Sequence, residues 1–226
     1  MGLLISYKYN FLFIHIVKTA GSSITYYLAP YARFIDRFAY GYWITRKTLG
    51  MLNRLLGWKE LGYKPYTGFL KHGTVLDAKN TLSEEVFKSL FKFAFVRNPW
   101  DWRVSLYFYI RQTPKHDNYD IISNMSFSDF IKWDVLRKPK RQVDFVCDLN
   151  NHIIVDYIGR YENLHEDFEI IKKKLSIKHS KSELPQINVS KNREFKDYRK
   201  YYNDETRSLV GDYFRDDIEK FGYKFE

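Results

Sequence analysis

The stretch that decides the fold reads FLFIHIVKTAGSS and covers Phe11–Ser23. Its first part, Phe11–Ile16, is an apolar run typical of a central strand buried on both faces. The turn Val17–Ser22 follows, and a serine at its end can cap a helix that runs to about Leu28, just before Pro30. A buried strand that opens through a tight turn into a helix directs backbone N–H groups and the helix dipole at one point. The sequence therefore predicts an anion-binding turn.

The side chains of this turn suit a phosphate-like group. Lys18 supplies a full positive charge, and Gly21 lets the backbone approach a ligand closely. Thr19, Ser22 and Ser23 add hydroxyl donors. An ordinary Walker loop places its first glycine well before Gly-Lys-Ser/Thr, whereas here the lysine precedes the glycine. This order, and the lack of an evident metal-holding aspartate after a later strand, argue against an ordinary ATPase or kinase.

A second apolar run, Phe91–Val96, predicts another buried strand, and Pro99 can be the first residue of the helix that follows it. Strands that alternate with helices indicate a parallel sheet covered on both faces. We therefore expect an α/β, three-layer fold with a central parallel sheet flanked by helices, built as a single domain of residues 1–226. The C-terminal half is predicted to be helix-rich, with apolar residues at helical spacing in Phe127–Trp133, Asn163–Leu175, Phe195–Tyr201 and Glu205–Phe221.

Two polar residues follow the second strand. Arg97 stands directly after it, and Ser105 comes about two helical turns later. Because ligands of open parallel sheets bind outside the carboxyl ends of the strands, Lys18 and Arg97 are expected to face the same crevice. A guanidinium beside a hydroxyl suits a second phosphate. Taken alone, Arg97 is better explained by a surface ion pair, and Ser105 by a hydroxyl on a helix surface.

Two motifs carry a resemblance to a known family. They are FIHIVKTAGSSI, Phe13–Ile24, and FAFVRNPWDWRVSLYFY, Phe93–Tyr109. They resemble the 5′-phosphosulfate loop and the 3′-phosphate segment of sulfotransferases, in particular carbohydrate sulfotransferases related to the heparan 2-O and chondroitin 4-O enzymes. The chain departs from the family pattern at Val17, where Pro is usual, and at Ser22, where Thr is common. Weaker likenesses lie in YIGRYENLHEDFEII, Tyr157–Ile171, and LPQINVSK, Leu184–Lys191.

The resemblance implies a P-loop-like fold and the donor 3′-phosphoadenosine 5′-phosphosulfate (PAPS), with no metal. It assigns the 5′-phosphosulfate to the loop, the 3′-phosphate to the residues after the second strand, and a covering role to a later segment. A preplaced lysine also stabilises the negative charge that develops on the 5′-phosphate, so Lys18 counts as catalytic as well. The implied cofactor-binding residues are Lys18, Thr19, Ala20, Gly21, Ser22 and Ser23, then Arg97 and Ser105, then Ser190 and Lys191 with Asn188.

The acceptor hydroxyl needs a base, and His72 is the predicted one. It lies before the Arg97 strand at a position similar to the family's catalytic histidine. An ordinary histidine pKa of about 6.5 suits proton removal at neutral pH. Outside the resemblance, a structural or surface histidine is the better explanation of His72. The rival is His15, which we interpret as a packed, hydrogen-bonded histidine beside the loop.

Composition sets further limits. The 226 residues carry a net charge of +10. A charge of this sign attracts polyanions in general and does not identify a particular one. The single cysteine, Cys147, excludes an internal disulfide and a cysteine-based zinc site, and its apolar neighbours indicate buried structure. No apolar run approaches the roughly 20 residues of a membrane span, and the N-terminus is not a convincing signal peptide. We therefore expect a cytoplasmic location, with peripheral membrane association left open.

The expected acceptor is a carbohydrate or another hydroxyl-bearing molecule, and no nucleic-acid partner is expected. Residues in Tyr31–Tyr66 and His116–Arg141 are candidates for an acceptor cleft, because their cations and aromatic rings suit an anionic sugar. The sequence says nothing about oligomeric state. Two alternatives stay open: a nucleoside-triphosphate-dependent kinase on a related fold, and a basic polyanion-binding module with a decayed active site.

Overall fold

The computed structural model describes residues 3–32, 73–177, 184–187 and 193–226. These residues form one four-stranded sheet in the order β1-β2-β3-β4. Strands β2, β3 and β4 are parallel, as predicted, whereas β1 pairs antiparallel with β2 at the edge of the sheet. The expected α/β fold is therefore confirmed, and the sheet is mainly rather than wholly parallel. The strands are β1 (Leu4–Ser6), β2 (Phe11–Ile14), β3 (Phe91–Val96) and β4 (Tyr157–Arg160).

Helices follow the strands and fill most of the C-terminal half of the described chain. Three short 3₁₀ turns, Ala29–Tyr31, Tyr161–Asn163 and Tyr198–Tyr201, connect them. The helices are α1 (Gly21–Leu28), α2 (Val75–Thr81), α3 (Glu84–Ser89), α4 (Pro99–Arg111), α5 (Tyr119–Ile122), α6 (Phe127–Leu136), α7 (Val143–Val146), α8 (Leu164–Lys174), α9 (Asp204–Tyr213) and α10 (Arg215–Phe221).

Side chains of the central strands alternate between two hydrophobic cores. Phe11 and Phe13 of β2 pack in a core with residues of α1 and α8. Leu12 and Ile14 of the same strand point to the other face and pack with residues of α4 and α9. Because successive strand residues face opposite sides, this division means that helices cover both faces of the sheet. The three-layer arrangement predicted from the apolar runs is confirmed.

Several helix boundaries differ from the sequence-based expectation. The predicted serine cap of α1 is wrong, because the cap residue is Ala20 in a left-handed conformation and no side chain caps the helix. The predicted C-terminal helix is two helices, interrupted at Phe214. The helix predicted over Phe195–Tyr201 is only the 3₁₀ turn at its end. Cys147 is buried as expected, and burial raises the pKa of its thiol.

Candidate active site

The turn between β2 and α1 has an unusual backbone. Lys18 and Ala20 both have φ 63°, in the left-handed region that residues with a side chain seldom enter. Conformations of this kind persist where the surroundings hold them, and they are frequent at ligand sites. Here the indole N–H of Trp102 donates to the Val17 carbonyl at 2.6 Å. Helix α4, which carries Trp102, therefore fixes the shape of the turn that precedes α1.

The hydroxyls of the turn have different environments. Thr19 is fully buried, and its hydroxyl donates to the Ile16 carbonyl at 2.9 Å. The prediction that this hydroxyl faces an anion is therefore wrong in this structure, and only the Thr19 backbone stays a candidate. Ser22 and Ser23 line the cavity beside the turn. The Ser23 hydroxyl also accepts the backbone N–H of Ile187 at 3.2 Å, which ties residues 184–187 to α1.

Gly21 is required by its contact with His15. A Cβ atom added at Gly21 would lie 2.1 Å from Cδ2 of the His15 imidazole, far inside van der Waals contact. The imidazole is 4% exposed and stacks on Phe13, so it has little room to move away. The interpretation of His15 as a packed residue beside the loop is confirmed. The close approach expected from glycine is made to His15, on the inner side of the turn.

We expect Gly21→Ala to distort the turn and to destabilise the protein by about 1–3 kcal/mol, the usual cost of overpacking a filled site. Chemical denaturation gives the free energy of unfolding of the wild type and the variant. The double variant Gly21→Ala/His15→Ala removes the imidazole that the new methyl group meets. It should recover part of the loss, since residues in contact do not contribute additively. If the double variant lost as much stability as the two single variants together, the steric explanation would be contradicted.

Arg97 is held from three sides. Its Nε donates to Oδ2 of Asp101 at 2.6 Å, and Nη1 donates to the Lys18 carbonyl at 3.0 Å. The guanidinium also lies 3.8 Å from the centre of the Tyr161 ring. Asp101 binds a second guanidinium, because Nη2 of Arg193 donates to its Oδ1 at 2.6 Å. Burial alone would raise the pKa of Asp101, but the charges of Arg97 and Arg193 outweigh it and hold that pKa below its ordinary value.

The Lys18 side chain lies where its charged form is disfavoured. Its Nζ lies 4.3 Å from the centre of the Tyr109 ring, a distance suited to a cation–π contact. Burial, and then the charges of Arg97 and Arg193, lower the pKa of Lys18 to about 7. Both effects disfavour the charged form, and a bound anion would reverse them. The described part of the chain therefore brings three basic side chains, Lys18, Arg97 and Arg193, together at one site.

A cavity of about 690 Å³ joins these residues. It brings together the turn before α1 and the residues after β3, as the sequence predicted. Ser105, which is buried, contributes to its wall. The lining residues are His15, Val17, Lys18, Ala20, Gly21, Ser22, Ser23, Arg97, Ser105, Tyr109, His116, Tyr161, Glu162, Leu164, His165, Glu166, Leu184, Pro185, Gln186, Ile187 and Arg193.

Four predicted residues lie outside the described part of the chain: His72, Asn188, Ser190 and Lys191. Their roles stay predictions. The structure adds residues that the sequence reasoning missed, chiefly Arg193, Tyr109, Tyr161 and Glu162. Arg193 lies two residues after Lys191, the end of LPQINVSK, so extending that segment would have included it. The other three lie inside the quoted motifs, Tyr109 in Phe93–Tyr109 and both Tyr161 and Glu162 in Tyr157–Ile171, but their residue types did not single them out.

The comparisons with known proteins agree with this geometry. A family model described as "Sulfotransferase family" matches residues 1–224. The chain therefore belongs to the sulfotransferase family. It is also 35% identical over 104 residues to a protein of Archaeoglobus fulgidus (strain ATCC 49558 / DSM 4304 / JCM 9628 / NBRC 100126 / VC-16) that is described as uncharacterized. That alignment covers 44% of this chain and 78% of the archaeal protein. No solved structure matches the chain significantly.

In residues 3–32, 73–177, 184–187 and 193–226, no three His, Cys, Asp or Glu side chains are grouped so that they could hold a metal ion. Each helix in those same ranges is too short or too polar to cross a lipid bilayer.

Proposed function

We propose that this chain transfers a sulfuryl group from PAPS to a hydroxyl group, most simply that of a carbohydrate. Family membership supports sulfuryl transfer and a hydroxyl-bearing acceptor in general terms. The observation that carries the choice of PAPS is that one cavity contains two cationic subsites, one at Lys18 and one at Arg97. A nucleotide with phosphates on both its 5′ and 3′ positions has two anionic groups to match them.

The residues present fit this donor. Lys18 and the backbone N–H groups at the start of α1 would hold the 5′-phosphosulfate, where the helix N-terminus and the cation both favour negative charge. Arg97 and Ser105 would hold the 3′-phosphate, because a guanidinium forms strong, directional bonds to phosphate oxygens. When bound, PAPS supplies an activated sulfuryl group attached to a phosphate.

The chain's own groups supply the rest of the mechanism. Lys18, already in place, stabilises the charge that develops on the 5′-phosphate. His72 is proposed to accept the proton of the acceptor hydroxyl as a general base. A carbohydrate acceptor is supported by the sequence resemblance and by the polar part of the cavity wall, which includes His116, His165 and Gln186. Such groups can form hydrogen bonds with the many hydroxyls of a sugar.

The direct test is transfer of labelled sulfate from PAPS to a panel of sugar and polysaccharide acceptors, combined with calorimetric binding of adenosine 3′,5′-bisphosphate. We expect tight binding of this nucleotide and transfer to at least one acceptor. Folded protein that does not bind the nucleotide would refute the proposal. Magnesium-dependent ATP turnover that needs Lys18 would favour a kinase, and salt-dependent polyanion binding without transfer would favour a decayed binding module.

Nucleotide binding is also expected to take up a proton at pH 8. The pKa of Lys18 is lowered to about 7 in the free protein, so most of its side chain is neutral at pH 8. A bound phosphate raises this pKa, and the lysine gains close to one proton on binding. Calorimetry in two buffers with different ionisation enthalpies measures the uptake. The part due to Lys18, taken as the difference from a variant that lacks this lysine, should vanish below about pH 6 because Lys18 is then already charged.

The control for this measurement is Lys18→Met, which keeps much of the side chain and removes the titrating group. It should bind the nucleotide more weakly and take up no proton at pH 8. Unchanged proton uptake in Lys18→Met would assign the proton to another group and contradict the role given to Lys18.

A further inference from the structure

The backbone of Arg97 lies just beyond the end of the sheet. The last pair of the β3–β4 ladder joins Val96 to Arg160, so the peptide groups of Arg97 are outside that ladder. Buried peptide groups need hydrogen-bond partners. The side chain of Gln142 is the partner of both Arg97 peptide groups. Its Oε1 accepts the Arg97 N–H at 2.8 Å, and its Nε2 donates to the Arg97 carbonyl at 2.8 Å. Gln142 thus binds Arg97 as a neighbouring strand would.

Gln142 is itself held firmly. It is fully buried, and its backbone N–H donates to Oδ2 of Asp217 at 2.9 Å. The adjacent N–H of Val143 donates to the other carboxylate oxygen at 2.8 Å. Asp217 lies on α10, near the C-terminus of the chain, and is also fully buried. A carboxylate that accepts two successive N–H groups fixes the position and direction of the Gln142 backbone.

The next peptide after Arg97 is held from another element. Oε1 of Glu162 accepts the backbone N–H of Asn98 at 2.7 Å, and Oε2 of Glu162 contacts the hydroxyl of Tyr223 at 3.1 Å. The main chain at Arg97 and Asn98 is therefore bound by side chains that lie 45 and 64 residues away in sequence. Neither side chain is needed to form β3, which ends at Val96.

We propose that Gln142 is a positioning residue that, by fixing the backbone of Arg97, makes the second cationic subsite selective for a nucleotide 3′-phosphate. The inference rests on the proposed function and names a determinant of its donor specificity. A shift of the Arg97 peptide would move the point from which the side chain reaches Asp101 and the Lys18 carbonyl, and would thereby change the position of the guanidinium. Small misplacements of an orienting group are costly at binding and catalytic sites.

The test compares two nucleotides that differ only in the 3′-phosphate: adenosine 3′,5′-bisphosphate and adenosine 5′-monophosphate. Calorimetry gives both dissociation constants for the wild type and for Gln142→Met, which keeps the side-chain length and loses both hydrogen bonds. The affinity ratio is the affinity for the bisphosphate divided by the affinity for the monophosphate. We expect Gln142→Met to lower it about 10-fold, the lower end of what loss of an orienting partner costs at metal sites. Binding of adenosine 5′-monophosphate should change less, because Gln142 bonds to the Arg97 peptide and is linked to the Lys18 turn only indirectly, through the bond from Arg97 to the Lys18 carbonyl.

Two further variants separate positioning from a general structural effect. In the Arg97→Ala background the ratio is already low, and adding Gln142→Met should lower it no further, since both changes act through one guanidinium. Gln112→Met, at the C-terminal end of α4 and outside the cavity wall, is the matched control and should leave the ratio unchanged. Should Gln142→Met fail to fold, Gln142→Asn tests the same point, because it keeps a neutral amide in the buried position and is one methylene too short to make both bonds to the Arg97 peptide.

The outcomes can be told apart. A wild type with no preference for the 3′-phosphate would refute the proposed function. A wild type with that preference, and folded Gln142 variants that keep it or that lose both nucleotides equally, would overturn the positioning role alone.

Discussion

The His72→Ala variant is expected to lose about 10²–10⁴-fold in sulfuryl transfer, the usual contribution of a general base, while its affinity for adenosine 3′,5′-bisphosphate stays close to that of the wild type. The reason is that removal of the base affects proton transfer from the acceptor and leaves both phosphate subsites intact. Turnover is measured with labelled PAPS at saturating donor, and nucleotide affinity by calorimetry on the same preparations.

The matched control is His152→Ala, because His152 is an exposed histidine beside Asp148 and is not part of the cavity wall. It should leave turnover unchanged. Full turnover in His72→Ala would show that the base assignment is wrong. The cavity histidines His116 and His165 would then be the next to replace, although Nδ1 of His116 already accepts the backbone N–H of Asn118 at 3.2 Å.

The Lys18→Ala variant is expected to lower turnover about 10²–10³-fold, as the loss of one preplaced donor does in other enzymes that stabilise developing charge. Lys18 has a lowered pKa and lies in the same cavity as Arg97, so its charge is poorly solvated before an anion arrives. An interaction of this kind strengthens as negative charge grows on the 5′-phosphate. The loss should therefore appear mainly in turnover, with a smaller loss in nucleotide affinity.

A natural control exists elsewhere in the chain. Lys8 lies over the ring of Tyr9 at 5.6 Å, much as Lys18 lies over Tyr109, but it is not part of the cavity wall. Lys8→Ala removes a lysine with a similar aromatic contact and should not change turnover. If Lys18→Ala weakened nucleotide binding as much as it lowered turnover, Lys18 would have a binding role and no special role in the transfer step.

The sequence predicted the elements that local patterns define. The apolar runs of β2 and β3 are strong signals, and the turn residues between Lys18 and Ser23 have a recognisable chemistry. The three-residue strand β1 is too short for any periodicity to reveal it. The interruption at Phe214 has no proline or glycine at the break itself, and Gly211 lies within the last turn of α9 rather than after its end.

The supports of the candidate site could not be predicted in the same way. Gln142 and Glu162 each bind the main chain after β3 from a distant part of the sequence. Such contacts depend on how the elements pack, and a lone Gln or Glu gives no sign of them. The Thr19 hydroxyl shows the opposite error: its residue type suggested a donor to the anion, but the geometry of the turn directs it to the Ile16 carbonyl.

The two bonds from the segment after β3 to the turn before α1 have a consequence for isomer discrimination. Arg97 donates to the Lys18 carbonyl, and Trp102 donates to the Val17 carbonyl. Together these two hydrogen bonds fix the distance between the two cationic subsites. Under the proposed function, nucleotide affinity would depend on the distance between the two phosphates as well as on their charge. A 2′,5′-bisphosphate carries the same charge as the 3′,5′ isomer, yet it would be rejected on distance.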